Sequence, residues 1–480
     1  MQVSQGNEAI TTSPLPLQPL DKNKRVDALD VLRGLALVGI LLMNIEWFNR
    51  AIISLGAHDT TLTGVDHAVG WLIRCFVEGK FYKLFALIFG MGFAVMLLRA
   101  KEVGRPFGAW FVRRMIVLFL IGLAHMIFLW GGDILHDYAI AGLLLLAWVS
   151  YNKTKTPRYY LKLALMWLAI PIFLISFGGS IFGMIFNDTK YQEMWQNELD
   201  IYTVVQQRFE RDVEVVSQIN EVSDSRDSTL DETSFTMPTD EESKAIAITD
   251  AIEQQKESQA DIAKEDAAFM QDSYWQATEY RIGFTGLMLM FTPIMSLVVL
   301  MPIFILGFWL VMTEKITKHQ QHHTFFKLLT HVGLGIGIPL NVASIIIIQH
   351  PAAEVSGVLQ GVGQMLFYVA QYLLSAGYLG IVICALNKKI WQEFFSAFSP
   401  MGQMALTNYL MHSVILTSIF YGYAGGQYGE ISRAPQILIV IAIIVSQIIL
   451  STWWLNRYRF GPMEWLWRSL TYKKLQPMKL

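Results

Sequence analysis

Apolar residues in this chain gather in long uninterrupted runs, not in the alternation of strands or the one-sided stripe of a soluble helix. Ten runs stand out, at 28–48, 80–99, 113–131, 134–151, 160–186, 284–312, 326–348, 359–386, 401–422 and 435–456. About 20 helical residues cross the ~30 Å hydrocarbon layer of a bilayer. The pattern therefore predicts an all-α, polytopic integral membrane protein with about ten transmembrane helices. Pro293 and Pro302 predict a kink in the sixth span. Gly333, Gly335 and Gly337, and the pair Gly357 and Gly361, predict close approach between helices.

The connections alternate in charge. Bases gather at Lys22, Lys24 and Arg25, from Arg99 to Arg114, and at Lys153, Lys155 and Arg158. They recur at Lys315, Lys318 and Lys327, at Lys388 and Lys389, and from Arg457 to Lys474. These are every second connection and both ends, so the positive-inside rule predicts cytoplasmic termini. Thr11 to Asp27 lacks an apolar core and a small-residue cleavage site, so no signal peptide is expected. The predicted organisation is a disordered cytoplasmic tail (1–24), a five-span bundle (25–186), an extracytoplasmic insert (187–279), a second five-span bundle (280–456) and a basic cytoplasmic tail (457–480).

Charge separates the insert from the rest. Residues 187–279 carry 23 acids and 7 bases, a net −16, which leaves 16 acids and 30 bases, a net +14, elsewhere. The formal −2 of the whole chain is the residue of that cancellation. Only 16% of residues are charged, against about 25% in soluble domains. An ordinary soluble enzyme is excluded. So is a nucleic-acid binder, because the bases form no stripe. The insert is rich in Glu, Asp, Ser and Gln, a composition that predicts flexible or loosely helical structure rather than a packed domain. Its reading is a solvated acidic spacer, with attraction of cationic ligands as the alternative. Cys75 and Cys384 support neither a disulfide framework nor a metal site.

Several runs reach membrane length only by taking in ionisable residues. The first has just 12 uncharged residues, Gly34 to Ile45, between Arg33 and Glu46. Glu46, Glu78, Lys80, Asp133, His136 and Asp137 all fall at the outer ends of the first four spans. Such groups line a cavity or sit in the headgroup layer. His125 lies 11 residues beyond Arg114, or ~16 Å at 1.5 Å per residue, near mid-membrane. An imidazole there is a candidate general base, with Asp133 or Glu78 as its tuning partner; a packing histidine is the plain alternative. His412 is a second mid-depth histidine, with Asn408 one turn before it. Asp30, Arg33, Arg113 and Arg114 serve either as topology determinants or as a cationic mouth for an anionic cofactor. Glu46, Lys80, His136, Asn408 and His412 are the candidate substrate-binding residues, and no metal is expected.

Four stretches carry a resemblance. They are Asp27-Ala-Leu-Asp-Val-Leu-Arg-Gly through Asn44, Gly79-Lys-Phe-Tyr-Lys-Leu-Phe through Gly92, Arg114 through Gly122-Leu-Ala-His125 to Leu135, and Gly402 through Asn408-Tyr-Leu410 with the tail Arg459-Phe-Gly-Pro-Met-Glu-Trp-Leu-Trp-Arg468. With these, nearly the whole chain outside its first 20 residues and the insert resembles the YeiB-like family of bacterial inner-membrane proteins. That family is distantly similar to membrane acyltransferases, including the heparan-α-glucosaminide acetyltransferase and polysaccharide O-acyltransferases. The resemblance implies a multi-pass protein of the bacterial inner membrane with His125 as catalytic base. It further implies acyl-CoA, acetyl-CoA first among the thioesters, as a cytoplasmic donor, and a sugar-like hydroxyl or amine as the extracytoplasmic acceptor. A small-molecule or lipid transporter, and a sensor or scaffold using the insert, remain the alternatives, and self-association into a homo-oligomer is left open.

Overall fold

The computed structural model describes residues 27–52, 62–186, 256–257, 259–350 and 357–480. The tail expected to be disordered (1–24) and most of the acidic insert lie outside the described residues. Among the described residues the protein is all-helical, with one isolated bridge between Tyr458 and Lys479 and no strand. It is a polytopic membrane protein. Helices are the open-chain solution in lipid because each satisfies its own backbone polar groups.

The first half comprises α1 (Asp27–Asn49), α2 (Gly64–Phe76), α3 (Phe81–Glu102), α4 (Gly108–Phe128), α5 (Leu135–Tyr151) and α6 (Pro157–Phe186). A helix at 259–270, here α7, precedes α8 (Tyr274–Ile294), a π-helical turn (Met295–Leu300) and α9 (Met301–Met312). There follow α10 (His323–Ile348), α11 (Gly357–Leu386), α12 (Lys389–Ser396), α13 (Ser399–Gln403), α14 (Ala405–Phe420), α15 (Arg433–Leu455) and α16 (Pro462–Tyr472). Every apolar run of the sequence coincides with one of these helices or with a joined pair. Among the described residues, seven helical stretches have the length and apolar composition to cross a membrane, and α5 and α14 are shorter apolar helices. Val112, Ile116 and Leu120 on α4, and Leu438, Ile441, Val445 and Ile449 on α15, face outward. Such apolar stripes belong against lipid.

The two prolines of the sixth span act differently from a simple kink. Pro293 cannot donate to the helical ladder, and the chain answers with the six-residue π turn that follows it before Pro302 opens α9. This helix also begins ten residues before the expected start at 284. The polar residues that hid its first turns from a hydropathy reading, Thr278, Arg281 and Thr285, point inward. Arg281 is fully buried, donating from Nε to Ile127 O at 2.9 Å and from Nη2 to Thr278 Oγ1 at 2.8 Å. The glycines expected to permit close approach do so at Gly333, where a Cβ would stand 2.5 Å from Gly377 Cα, so α10 and α11 pack backbone to backbone.

One end of the bundle gathers the base-poor connections. Asn49 Nδ2 donates to Ile431 O, Ile52 N to Glu265 Oε1, and Gly422 N to Phe269 O. Phe269 of α7 stacks on Tyr421 at 4.5 Å, and Phe48 stacks on Trp130 at 4.3 Å. The C-terminal part of the acidic insert is thus helical and packed against the bundle, while residues 187–255 lie outside the described residues. Phe269 and Glu265 supply the reason, since both are buried on the face that α7 turns to the bundle. At the opposite, base-rich end, α16 lies on α4: Arg113 Nη1 donates to Thr471 O and Trp467 Nε1 to Arg114 O.

Candidate functional site

His125 is 2% exposed on α4, and the turn after that helix folds back onto it. Trp130, Gly131 and Gly132 carry the chain around so that Asp133 Oδ1 lies 2.9 Å from His125 Nδ1. Gly122 makes the fold-back feasible: a Cβ there would stand 2.7 Å from Asp133 Oδ2 and from His136 N. Asp133 Oδ2 accepts from the first N–H groups of α5, Leu135 N at 2.8 Å and His136 N at 3.2 Å, and from His136 Nδ1 at 3.2 Å. Tyr409 OH donates to Asp133 Oδ1 at 3.3 Å. Two backbone N–H groups and the Tyr409 hydroxyl on one carboxylate at a helix N-terminus hold it ionised.

An ionised carboxylate accepts only, so in the neutral imidazole Nδ1 of His125 carries the proton. Nε2 is then the acceptor, and Ser413 Oγ lies 2.7 Å from it. The order Asp133–His125–Ser413 joins a turn, α4 and α14 in one line of hydrogen bonds. On the other side, His136 Nε2 is 3.5 Å from Asp137 Oδ1.

Two cavities lie near this line, one of them lined by Asp133 and neither by His125 or Ser413. The base-rich one, about 250 Å³, is lined by four guanidiniums (Arg33, Arg99, Arg114 and Arg468) and by the carboxylates of Asp30 and Glu464. Arg33 pairs with Asp30 at 2.6 Å, and the Arg114 guanidinium lies over the Trp467 ring at 3.6 Å. The other, about 410 Å³, lies on the insert side and is lined by Asp133, His136 and Asp137 among apolar and aromatic groups. Ile40, Ile134 and Tyr409 line both cavities and so form their partition. The Tyr409 ring also lies 5.3 Å from that of His125.

The residues singled out in the sequence divide accordingly. His125, Asp133 and His136 are brought together, and Asp30, Arg33 and Arg114 share the base-rich cavity. Arg113 does not join them; it is spent on the Thr471 carbonyl of α16. Asn408 and His412 belong to a packing network with α15, where His412 Nε2 meets Gln447 Oε1 at 2.8 Å and Asn408 Nδ2 donates to Ser451 Oγ at 3.0 Å. Glu46 is buried between Arg50 and Arg433, at 3.2 and 3.3 Å. Lys80 is buried with Nζ donating to Arg74 O at 2.7 Å, and Glu78 lies two residues before it. Glu46, Glu78, Lys80, Asn408 and His412 line neither cavity. No group of three or more metal-ligating side chains is found among the described residues.

Tyr409, Ser413, Arg99, Arg468 and Glu464 are the residues that sequence reasoning passed over. Tyr409, Glu464 and Arg468 sit inside the stretches that carried the family resemblance, which was the available signal. Comparison with known proteins agrees with it. Residues 310–474 match a family described as "Protein of unknown function (DUF418)". The chain is 29% identical to the uncharacterized protein YxaH of Bacillus subtilis over 96% of its own length and 98% of that protein. It is 24% identical to the uncharacterized protein YeiB of Escherichia coli over 94% and 97% of the two chains. Over nearly its whole length the chain is thus similar to YxaH and YeiB, and its C-terminal third matches the DUF418 family. No solved structure matches the chain. The DUF418 match includes Tyr409, Ser413, Glu464 and Arg468, whereas His125 and Asp133 lie outside it.

Proposed function

We propose that this YeiB-like protein is a transmembrane acyltransferase of the bacterial inner membrane. It moves an acyl group from cytosolic acyl-CoA to an extracytoplasmic hydroxyl or amine. The observation that carries the reading is the pair of cavities that meet at Tyr409, next to Asp133 and its bonded His125. One cavity suits a polyanionic donor: guanidiniums bind phosphates bidentately, and Arg114 stacked on Trp467 offers a flat cation beside an aromatic face. The other, with two carboxylates and an imidazole, suits a polar acceptor.

In this scheme the bases of the alternate connections keep both termini in the cytoplasm, so the arginine-lined cavity faces the donor. His125 provides general-base catalysis, and Asp133 holds its tautomer and stabilises the imidazolium. Acetyl-CoA is the first donor to try. The test is turnover of purified protein in liposomes with CoA thioesters inside and sugar acceptors outside. His125→Ala should insert and fold normally yet abolish CoA release. Unimpaired turnover in that variant overturns the scheme, and flux of a solute without CoA release assigns the cavities to transport instead.

A further inference from the structure

Both ring nitrogens of His125 are already engaged by the protein. Nδ1 holds Asp133, and the Nε2 lone pair, the basic one, is occupied by the Ser413 hydroxyl at 2.7 Å. An acceptor from outside could give its proton to His125 only after displacing that serine. The hydroxyl standing at the base is Ser413 itself. Ser413 is buried, as are His125 and Asp133, so the three are shielded from bulk water. The side chain of Ser413 follows that of Tyr409 by one turn on the same face of α14. Ser413 lines neither cavity, whereas Tyr409 lines both, so a substrate in either cavity reaches Ser413 only if Tyr409 moves aside.

We infer that Ser413 is the nucleophile and that transfer passes through an acyl-serine; this rests on the acyl-transfer reading above. In the first step Ser413 Oγ bonds to the thioester carbonyl carbon and the C–S bond breaks. The serine proton passes to His125 Nε2 and from there to the departing thiolate, so CoA leaves as its thiol. In the second step the acceptor's oxygen or nitrogen bonds to the acyl carbon and the Ser413 Oγ–C bond breaks. The acceptor's proton returns through His125 to Ser413. Atoms and charge balance without any further reactant. The arrangement has the roles of a serine–histidine–aspartate triad, recognised by geometry and not by chain order. It also resolves a topological difficulty. Donor and acceptor arrive from opposite cavities, and a covalent intermediate lets them visit the partition in turn rather than together.

The experiment uses full-length protein in detergent and two probes. The first is acetyl-CoA without acceptor, and the second is a fluorophosphonate that tags activated serines whatever their natural donor. Intact and peptide mass spectrometry should find one acetyl group, or one phosphonyl group, on Ser413. Both should be absent in Ser413→Ala and in His125→Ala. Ser413→Cys should regain an acetyl adduct released by hydroxylamine. Turnover in Ser413→Ala should fall by about a thousandfold or more. If His125-dependent turnover persists in Ser413→Ala, the intermediate is overturned while acyl transfer stands. If the fluorophosphonate tags Ser413 but no thioester acylates it, the nucleophile stands and the CoA donor fails. If neither probe tags Ser413, the inference is overturned.

Discussion

The Tyr409 hydroxyl donates to Asp133 Oδ1 at 3.3 Å, joining residues 276 positions apart in the chain. The same oxygen faces His125 Nδ1 at 2.9 Å. A group that lines both cavities is thus tied to the carboxylate that sets the histidine. Removing the hydroxyl alone separates this tie from the bulk of the ring. Tyr409→Phe should lower stability by about 1 kcal/mol, the usual worth of one hydrogen bond. It should lower transfer by more than that stability loss explains, which thermal unfolding and turnover measured on the same preparation will separate.

Gly122 is the test of the turn. An added methyl would stand 2.7 Å from Asp133 Oδ2 and from His136 N, both fixed by other bonds. Gly122→Ala should therefore displace Asp133 and destabilise the protein by about 1–3 kcal/mol, as overpacking does. Thermal unfolding in detergent measures the loss, and abolished fluorophosphonate tagging of Ser413 would report the misaligned histidine.

The two neighbouring arginines at the start of α4 should part company. Arg114→Ala should weaken CoA-thioester binding about tenfold, or ~1.4 kcal/mol, and reduce its salt sensitivity. Arg113→Ala should instead loosen α16, whose Thr471 carbonyl it holds at 3.0 Å, with donor affinity kept. Calorimetric titration of the two variants decides it. Equal losses of affinity would return Arg113 to the cavity.

Glu464 makes α16 sensitive to pH. Its carboxyl lies outside the membrane-spanning helices, and burial raises its pKa above the ordinary 4.5, against the pull of hydrogen bonds from Thr407 and Leu406. The folded state then holds the proton more tightly than the unfolded one. Its stabilising contribution is complete below the unfolded value and is lost as pH rises through the raised one. Melting temperature should fall across that interval in the natural protein. Glu464→Gln, which stays neutral, should remove this fall.

The missed elements share a cause. The helices α2, α12 and α16 run to 13, 8 and 11 residues. Each is too short for a membrane-length apolar window. Short amphipathic helices become visible only once there is a bundle end for them to lie on. Asn408 and His412 show the complementary limit. They share a helical face at mid-depth, which makes them site candidates, and that face meets Gln447 and Ser451 of α15. The adjacent face of α14, with Tyr409 and Ser413, meets Asp133 and His125. Periodicity groups residues by face but does not say which neighbour a face meets.

The sequence by itself determined the long apolar helices, because crossing hydrocarbon requires some 20 apolar residues and the alternation of basic connections follows the chain. It also determined that His125 and Asp133 were candidates for each other, being eight residues apart across a single turn. Only the tertiary structure decided which hydroxyl occupies the basic nitrogen of His125, since Ser413 lies 288 residues away and serines on apolar helices are common. Only it decided that Arg99, Arg114 and Arg468 converge with Arg33 on one cavity. The difference is physical. Burial and charge distribution are properties of a segment in its solvent, legible one residue after another, whereas a hydrogen bond of 2.7 Å depends on how two helices are packed.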